Sequence, residues 1–233
     1  MGLTSFNEVA VPRMERMNPV RILIADDYEV VRRGIATVLE ARPGWIVVAQ
    51  AATGREAVEK AKKFKPDIIV LDIGMPELNG LEALRQIQKE VPQSKVLIFT
   101  TDESEDIAND ALGAGAMGYL FQSDGAEALV TAVESLMQNR PFLTPRVSQM
   151  VLENYRKFHS GARVRPAILH LSLREREILQ LVAEGKCTKE IAAILNVSGK
   201  TVETHRANLS RKLQLRSVSD LVRYAIRNHI IAP

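Results

Sequence analysis

The sequence predicts a doubly wound parallel α/β sheet of five strands, followed by an all-α domain of four helices. Three observations predict this fold class. Strand-like apolar runs alternate with helical patterns over residues 20–138. These runs are almost continuously apolar, as in parallel sheets that helices cover on both faces. From Leu171 onward the pattern is helical throughout, and 233 residues are enough for two such domains.

Five strand–helix units follow one another in the first part of the chain. The predicted strands cover residues 20–25, 45–51, 67–71, 95–100 and 118–121. The predicted helices cover residues 29–42, 54–64, 81–90, 103–113 and 125–138. Because crossovers between parallel strands are right-handed, these units give a doubly wound sheet with its crevice at the carboxyl ends of the strands.

A connecting segment at residues 140–166 is predicted to contain a linker helix and then a flexible stretch. Thr144 can cap this helix, with Pro145 in its first position. The helix carries an apolar stripe formed by Val147, Met150, Val151, Tyr155 and Phe158. A helix that is apolar along one face is expected to pack against a neighbouring element.

The helical domain at residues 167–233 is predicted to begin with a capping box formed by Ser172 and Glu175. Gly185 ends the first helix. A short helix at 188–195, a turn at 196–198 and a longer helix from Gly199 then have the proportions of a helix-turn-helix. Ser217 is predicted to cap the last helix.

Charge is divided unevenly between the two parts. Residues 20–140 contain 13 Lys and Arg against 19 Asp and Glu, a net charge of −6. Residues 162–233 contain 13 Lys and Arg against 6 Asp and Glu, a net charge of +7. The basic part would attract a polyanion such as double-stranded DNA. A solvated basic surface is the alternative interpretation.

The remaining composition indicates a cytoplasmic protein without a membrane partner. Residues 1–19 lack the apolar core of a secretory signal and are predicted to form a disordered tail, with Met17 as an alternative start. No apolar run approaches the roughly 20 residues that a membrane helix needs. The single cysteine, Cys187, cannot form an internal disulfide, which suits a reducing compartment.

Three carboxylates end predicted strands. Asp26 and Asp27 follow the first strand and Asp72 follows the third. Since the ends of parallel strands meet at one edge of the sheet, we expect the three side chains to converge. Like charges raise one another's pKa, a cost that a divalent cation removes, and oxygen ligands favour Mg²⁺. A carboxylate is also a competent nucleophile for phosphoryl transfer.

Residues 20–139 resemble the receiver domain of two-component response regulators, which has a CheY-like fold of the flavodoxin type. The matching features are the acidic pair Asp26-Asp27, the loop Asp72-Ile73-Gly74-Met75-Pro76 with Gly80, Thr100 at a strand end, and Tyr119 in the fifth strand. Taken singly, Asp27 could be a helix cap, Thr100 an ordinary strand end and Tyr119 a core residue. Their conjunction at the strand ends favours the functional interpretation.

The resemblance implies specific roles. Asp72 would be the phosphoacceptor of a cognate histidine kinase. Asp27, Asp72 and the Gly74 carbonyl would hold Mg²⁺, with Asp26 assisting through water. Thr100 would hydrogen-bond the phosphoryl group, and Tyr119 would swing inward with it.

One position departs from the family pattern. Receivers normally place a lysine three residues beyond the aromatic of the fifth strand, where this chain has Gln122. A charged hydrogen bond contributes on the order of 1.5–3 kcal/mol. Loss of the lysine's charged hydrogen bond should weaken the coupling between phosphorylation and the conformation of the receiver. An atypical regulator that binds DNA independently of phosphorylation is therefore the alternative function.

The helix from Gly199 has two distinct faces. Val202, Leu209 and Leu213 are predicted to face the core, with His205 at its edge as a structural histidine. The opposite face carries Lys200, Thr204, Ala207 and Arg211, flanked by Glu203 and Asn208. These short polar or cationic groups suit a major groove. The residues placed to reach phosphates are Lys189, Arg206, Lys212 and Arg216.

Residues 171–231 resemble the LuxR-type helix-turn-helix of the NarL/FixJ subfamily of response regulators. The matching motifs are residues 172–177, 184–186, 189–192 and Lys200-Thr201-Val202-Glu203-Thr204-His205-Arg206. The resemblance implies that the helix from Gly199 recognises DNA. It also implies a homodimer that pairs through the last helix, at Leu221, Val222 and Ala225.

An enzyme is the competing class. Haloacid-dehalogenase-like phosphatases also use an aspartate nucleophile on a similar sheet. They need a second aspartate two residues later, where this chain has Gly74. The sequence therefore favours a regulator over a phosphohydrolase.

Overall fold

The computed structural model describes residues 19–159, 171–215 and 217–231, and the side chains of residues 157–159 are not described. The predicted N-terminal tail lies outside these ranges except for its last residue. The predicted flexible stretch before residue 167, and the phosphate contact predicted for Arg216, also lie outside them. No helix among the described residues is long and apolar enough to cross a membrane.

The first unit alternates strands and helices. Its strands are β1 Val20–Ala25, β2 Trp45–Ala51, β3 Ile68–Leu71, β4 Lys95–Thr100, β5 Gly118–Phe121 and β6 Phe142–Leu143. Its helices are α1 Glu29–Glu40, α2 Gly54–Phe64, α3 Gly80–Glu90, α4 Glu105–Gly113, α5 Gly125–Met137 and α6 Pro145–His159. The predicted succession of five strand–helix units is confirmed.

The strands form one parallel sheet in the order β2-β1-β3-β4-β5-β6. Ala25 pairs with Leu71 at the ends of β1 and β3, so the residues that follow lie at the same edge. The strand order reverses at β1, which makes this edge the topological switch point where α/β sheets form their crevice. Apolar clusters cover both faces of the sheet, one under α2, α3 and α4 and the other under α1 and α5.

The sheet has six strands, not the predicted five. The connecting segment supplies β6, which pairs with β5 through Gly118 and Phe142. Helix α6 follows, and the Val147 N–H bonds the Thr144 hydroxyl at 3.4 Å, as the predicted cap requires. Val147 is fully buried against the α/β core. Tyr155 departs from the predicted stripe, because it is 61% exposed.

Four helices are described in the second unit: α7 Leu173–Ala183, α8 Thr188–Ile194, α9 Gly199–Leu213 and α10 Val218–Arg227. The predicted capping box is present, with the Ser172 N–H bonding Glu175 at 2.7 Å. Ser198 caps α9 and Ser217 caps α10. Ile178, Ile191, Val202 and Leu209 pack into a separate apolar core.

Candidate functional site

Asp72 lies directly after β3, in the crevice that the topology predicts. Its side chain is buried, and its Oδ2 accepts a hydrogen bond from the Gly74 N–H at 2.9 Å. Burial raises the pKa of Asp72 to about 6, and the negative charge of Asp26 adds to this shift. Hydrogen bonds from the Thr100 hydroxyl and from the backbone at Ile73 and Gly74 oppose it. The carboxylate is still mostly ionised at neutral pH.

Asp26 and Asp27 follow β1 at the same edge. Asp26 is almost fully buried, and its carboxylate accepts hydrogen bonds from the Tyr28 N–H at 2.8 Å and from Gln122 Nε2 at 3.0 Å. Burial raises the pKa of both carboxyls. The structure therefore brings Asp26 to Gln122, a contact that the sequence did not predict.

The carboxylates predicted to hold a cation differ in their partners in this conformation. Within residues 19–159, 171–215 and 217–231, no three His, Cys, Asp or Glu side chains are grouped closely enough to hold a metal ion. The charge of Asp26 acts on Asp72 and that of Asp27 acts on Asp26, while the Asp26 carboxylate is hydrogen-bonded by the Tyr28 N–H and Gln122. The three-carboxylate metal site stays a prediction. Asp27 Oδ1 and Asp72 Oδ1 are buried oxygens without a hydrogen-bond partner among the described residues. These two orphaned anionic oxygens fit a divalent cation.

Thr100 and Tyr119 belong to β4 and β5, the strands that follow β3 in the order of the sheet. Thr100 is buried at the end of β4, and its hydroxyl accepts the Asp102 N–H at 3.2 Å. Tyr119 is fully buried, and its hydroxyl donates to the Asp102 carbonyl at 3.3 Å. Burial raises the pKa of Tyr119, so it stays a neutral donor. Tyr119 already occupies an inward position, with its ring edge-on to Phe121 at 5.7 Å.

Helix α9 presents its predicted outer face to solvent. Lys200, Glu203, Thr204, Ala207 and Arg211 are exposed. Val202 and Leu209 are buried, and Leu213 packs against the same core, as predicted. This division leaves a polar and cationic helix face of the kind that enters a major groove.

The flanking residues predicted to contact DNA are held mostly by local hydrogen bonds. Arg206 Nη1 bonds the Thr188 hydroxyl at 3.2 Å, and Arg211 Nη2 bonds Asn208 Oδ1 at 2.9 Å. Lys212 Nζ lies 2.7 Å from Glu175 Oε2 and so ties α9 to α7. Lys189 is exposed, whereas Thr201 is half-buried and shares a hydrogen bond with Ser198.

Comparison with known proteins supplies the family. Residues 22–134 match the response regulator receiver domain, and residues 169–225 match the bacterial regulatory proteins of the luxR family. The transcriptional regulatory protein LiaR of Bacillus subtilis (strain 168) is 37% identical over 91% of this chain and 99% of its own length. The chain is a response regulator of the NarL/FixJ subfamily.

Solved structures agree with both units of this response regulator. A LuxR-family two-component response regulator from Aurantimonas sp. SI85-9A1 is 36% identical and covers 59% of this chain and 98% of its own, with a TM-score of 0.56. The Salmonella typhimurium response regulator RcsB is 25% identical over 89% of this chain and 98% of its own, also with a TM-score of 0.56.

Arg32 is a residue of the receiver site that sequence reasoning missed. Its guanidinium extends back from α1, and Nη1 bonds the Asp26 carbonyl at 2.6 Å. Its positive charge opposes the raised pKa of Asp26 and Asp27. The available signal was its position in the first turns of α1, immediately after the acidic pair. The response regulator thus has a cation near the acidic pair, although it lacks the usual lysine.

The predicted dimer residues of this response regulator lie mainly inside its own helical domain. Leu221 and Ala225 are 4% and 0% exposed and belong to the apolar core. Val222 is half-buried. In this conformation Leu221 and Ala225 are therefore unavailable to a second copy, while Val218 on the same helix is 51% exposed.

Proposed function

We propose that this response regulator is a transcription regulator, switched when a histidine kinase phosphorylates Asp72 with Mg²⁺ present. The observation that carries the proposal is the environment of Asp72. Its Oδ1 is buried at the switch-point edge and has no hydrogen-bond partner among the described residues, while Oδ2 is held by the Gly74 N–H. One oxygen is thus fixed and the other is available as a nucleophile.

The proposed step is phosphoryl transfer. An oxygen of Asp72 forms a bond to phosphorus as the bond from phosphorus to the kinase imidazole nitrogen breaks, and the imidazole leaves as the neutral base once protonated. Asp27 and Asp72, with the Gly74 carbonyl, would hold Mg²⁺, which offsets charge on the phosphoryl oxygens. The Thr100 hydroxyl, which hydrogen-bonds Asp72, would donate to the phosphoryl group.

We further propose that α9 binds double-stranded DNA in the major groove. Lys200, Thr204, Ala207 and Arg211 would face base edges, as would Glu203 and Asn208. Lys189, Thr201, Arg206 and Lys212 would contact the backbone. The active form would be a homodimer in the cytoplasm, where promoter DNA lies. The protein would then act as a regulator and not as an enzyme.

A second function is favoured by a specific contact. Gln122 Nε2 donates a hydrogen bond to the Asp26 carboxylate at 3.0 Å. Gln122 is thus bound to the acidic pair, and its neutral amide has no positive charge with which to pair a phosphoryl group. Tyr119 is already buried inward. A receiver that rests in this arrangement would bind DNA without phosphorylation.

Incubation with acetyl phosphate and Mg²⁺, followed by intact-mass measurement, separates the two functions. The first function requires wild type to gain one acid-labile phosphoryl group that Asp72→Asn does not gain. If wild type gains none and still binds DNA, the phosphorylation-independent function holds instead.

A further inference from the structure

Glu203, on the outer face of α9, is held by a side chain of the preceding helix. The hydroxyl of Thr188, the first residue of α8, donates a hydrogen bond to Glu203 Oε1 at 2.5 Å. Arg206 Nη1 donates to the same hydroxyl at 3.2 Å and lies 3.7 Å from Glu203 Oε1. These contacts join both helices of the helix-turn-helix at one carboxylate.

Two neighbouring polar side chains of this face bond within α9 instead. The Thr204 hydroxyl donates to the Lys200 carbonyl at 2.9 Å, and Arg211 Nη2 donates to Asn208 Oδ1 at 2.9 Å. Such bonds do not fix a side chain against a second helix. Glu203 is therefore positioned relative to α8 before a ligand binds, which reduces the side-chain entropy that binding costs.

The Glu203 carboxylate keeps capacity for a donor from outside the protein. Its side chain is 59% exposed, whereas that of Arg206 is 28% exposed. An ionised carboxylate has about four acceptor positions and no donor, and the Thr188 bond uses one of them. Glu203 is also the fifth residue of α9. In a helix-turn-helix, the N-terminal residues of the second helix contact the base edges.

The four bases differ in what they present to a group that only accepts hydrogen bonds. In the major groove, guanine presents two acceptors, thymine an acceptor and a methyl group, and adenine a donor beside an acceptor. Cytosine presents its N4 amino donor without an acceptor of its own. A carboxylate held in place therefore favours cytosine, because each of the other bases would set an electronegative atom against it.

We propose that Glu203 selects cytosine, by accepting a hydrogen bond from the N4 amino group of one cytosine in each half-site of the DNA. Thr188 is a positioning residue that fixes the carboxylate, and Arg206 offsets its charge near the phosphates. The inference rests on the proposed binding of α9 in the major groove and adds the base that is selected. A negative charge on this face also lowers the affinity for DNA of any sequence.

Selection of duplexes from a random library by the full-length protein tests this. Wild type should select sites with an invariant C·G pair at one position of each half-site. Replacing that pair by any other should lower the affinity about tenfold, measured by fluorescence anisotropy.

Glu203→Gln should change which base is selected at this position. An amide pairs with N6 and N7 of adenine, so the variant should select A·T there. Its affinity for the wild-type site should fall about tenfold. Its affinity for an unrelated duplex should rise, because a negative charge has been removed. A purely structural role of Glu203 would not produce both changes.

Glu190→Gln is the matched control, because Glu190 is an exposed carboxylate of α8 that accepts the Cys187 N–H at 2.7 Å. It removes the same charge and should leave the selected sequence unchanged. Thr188→Val keeps the size of the side chain but loses the hydroxyl, and it should reduce the discrimination for cytosine severalfold. Thr188→Ser should retain that discrimination.

The inference and the proposed function can fail separately. Selection of the same base at every position by wild type and Glu203→Gln would overturn the inference, as would an equal loss of affinity for all duplexes. Either result leaves DNA binding by α9 standing. If wild type binds no duplex in a salt-dependent manner, the proposed function fails as well. Should Glu203→Gln lower the melting temperature, the two Thr188 variants provide the same comparison.

Discussion

At the scale of single residues, the proposed chemistry of the receiver depends on Asp72 and Gln122. The position of Asp72 was predictable, because an apolar strand followed by an aspartate locates a carboxylate at a sheet edge. The partner of Gln122 was not, since a bond between residues 26 and 122 has no local sequence signal. Arg32 was missed for a different reason, because helix periodicity does not show that a guanidinium in the first turns of α1 extends back to the Asp26 carbonyl.

Gln122→Lys should restore a cation beside Asp72 and increase the fraction of protein phosphorylated by acetyl phosphate. The physical reason is that an ammonium group pairs with phosphoryl oxygens more strongly than a neutral amide does. Intact mass over time gives the measurement, and Gln93→Lys, in an exposed loop, controls for net charge. An equal increase in both variants would contradict a local role for position 122.

Asp72→Asn should stabilise the protein at pH 8 in the absence of Mg²⁺. The folded-state pKa of Asp72 is raised to about 6, so the protonated form is favoured by folding, and its contribution is lost as pH rises through 6. Removing the charge recovers up to about 3 kcal/mol at pH 8, and the gain falls to about 0.5 kcal/mol near pH 4. Urea unfolding at both pH values checks this. A gain independent of pH would show that burial of the charge is not the cause.

At the scale of elements, the sequence predicted the long strands well. It predicted poorly the very short strand β6 and which side chains of α10 are buried. Strands β1, β2, β4 and β5 have the predicted bounds, because long apolar runs ended by polar residues are strong signals. The two-residue strand β6 is too short to show any periodicity. An apolar stripe on α10 could not reveal that Leu221 and Ala225 are buried in the core of their own domain.

Gly80 at the start of α3 should tolerate no side chain. A Cβ there would lie 1.9 Å from the Asp72 carbonyl oxygen and 2.8 Å from the Ile73 Cα, both backbone atoms. Gly80→Ala should therefore cost at least about 1–3 kcal/mol of unfolding free energy. Gly34→Ala on the exposed face of α1, with nothing within 4 Å, should instead be stabilising by about 0.5–1 kcal/mol. Denaturant unfolding of both variants provides the comparison, and equal effects would contradict the close approach.

Lys200→Ala and Arg211→Ala on the exposed face of α9 should each weaken DNA binding. A lost phosphate contact lowers the slope of log affinity against log salt by about one, and a lost base contact costs about 1–3 kcal/mol. Titration of a duplex selected from a random library, at several salt concentrations, measures both quantities. Arg223→Ala, which breaks an exposed pair with Asp220 on α10, is the control. Unchanged affinity in both α9 variants would show that α9 is not the helix that contacts the DNA bases.

At the scale of the whole molecule, an acidic α/β unit and a basic helical unit share one chain. The charge asymmetry predicted two functions, and the family match supports both domains. How the two units meet was not predictable, because Gln180, Glu184 and His229 are polar residues without a periodic pattern that links them to the receiver loops. These contacts place the helical unit against the loops that follow β3 and β4.

Phosphate on Asp72 is proposed to change how the full-length protein binds DNA. The most direct measurement is the affinity for a selected duplex, taken by fluorescence anisotropy with and without prior acetyl phosphate and Mg²⁺, with intact mass read on the same samples. Wild type should bind more tightly in proportion to its phosphorylated fraction, and Asp72→Asn should show no change. Full phosphorylation of wild type with unaltered DNA affinity would contradict it.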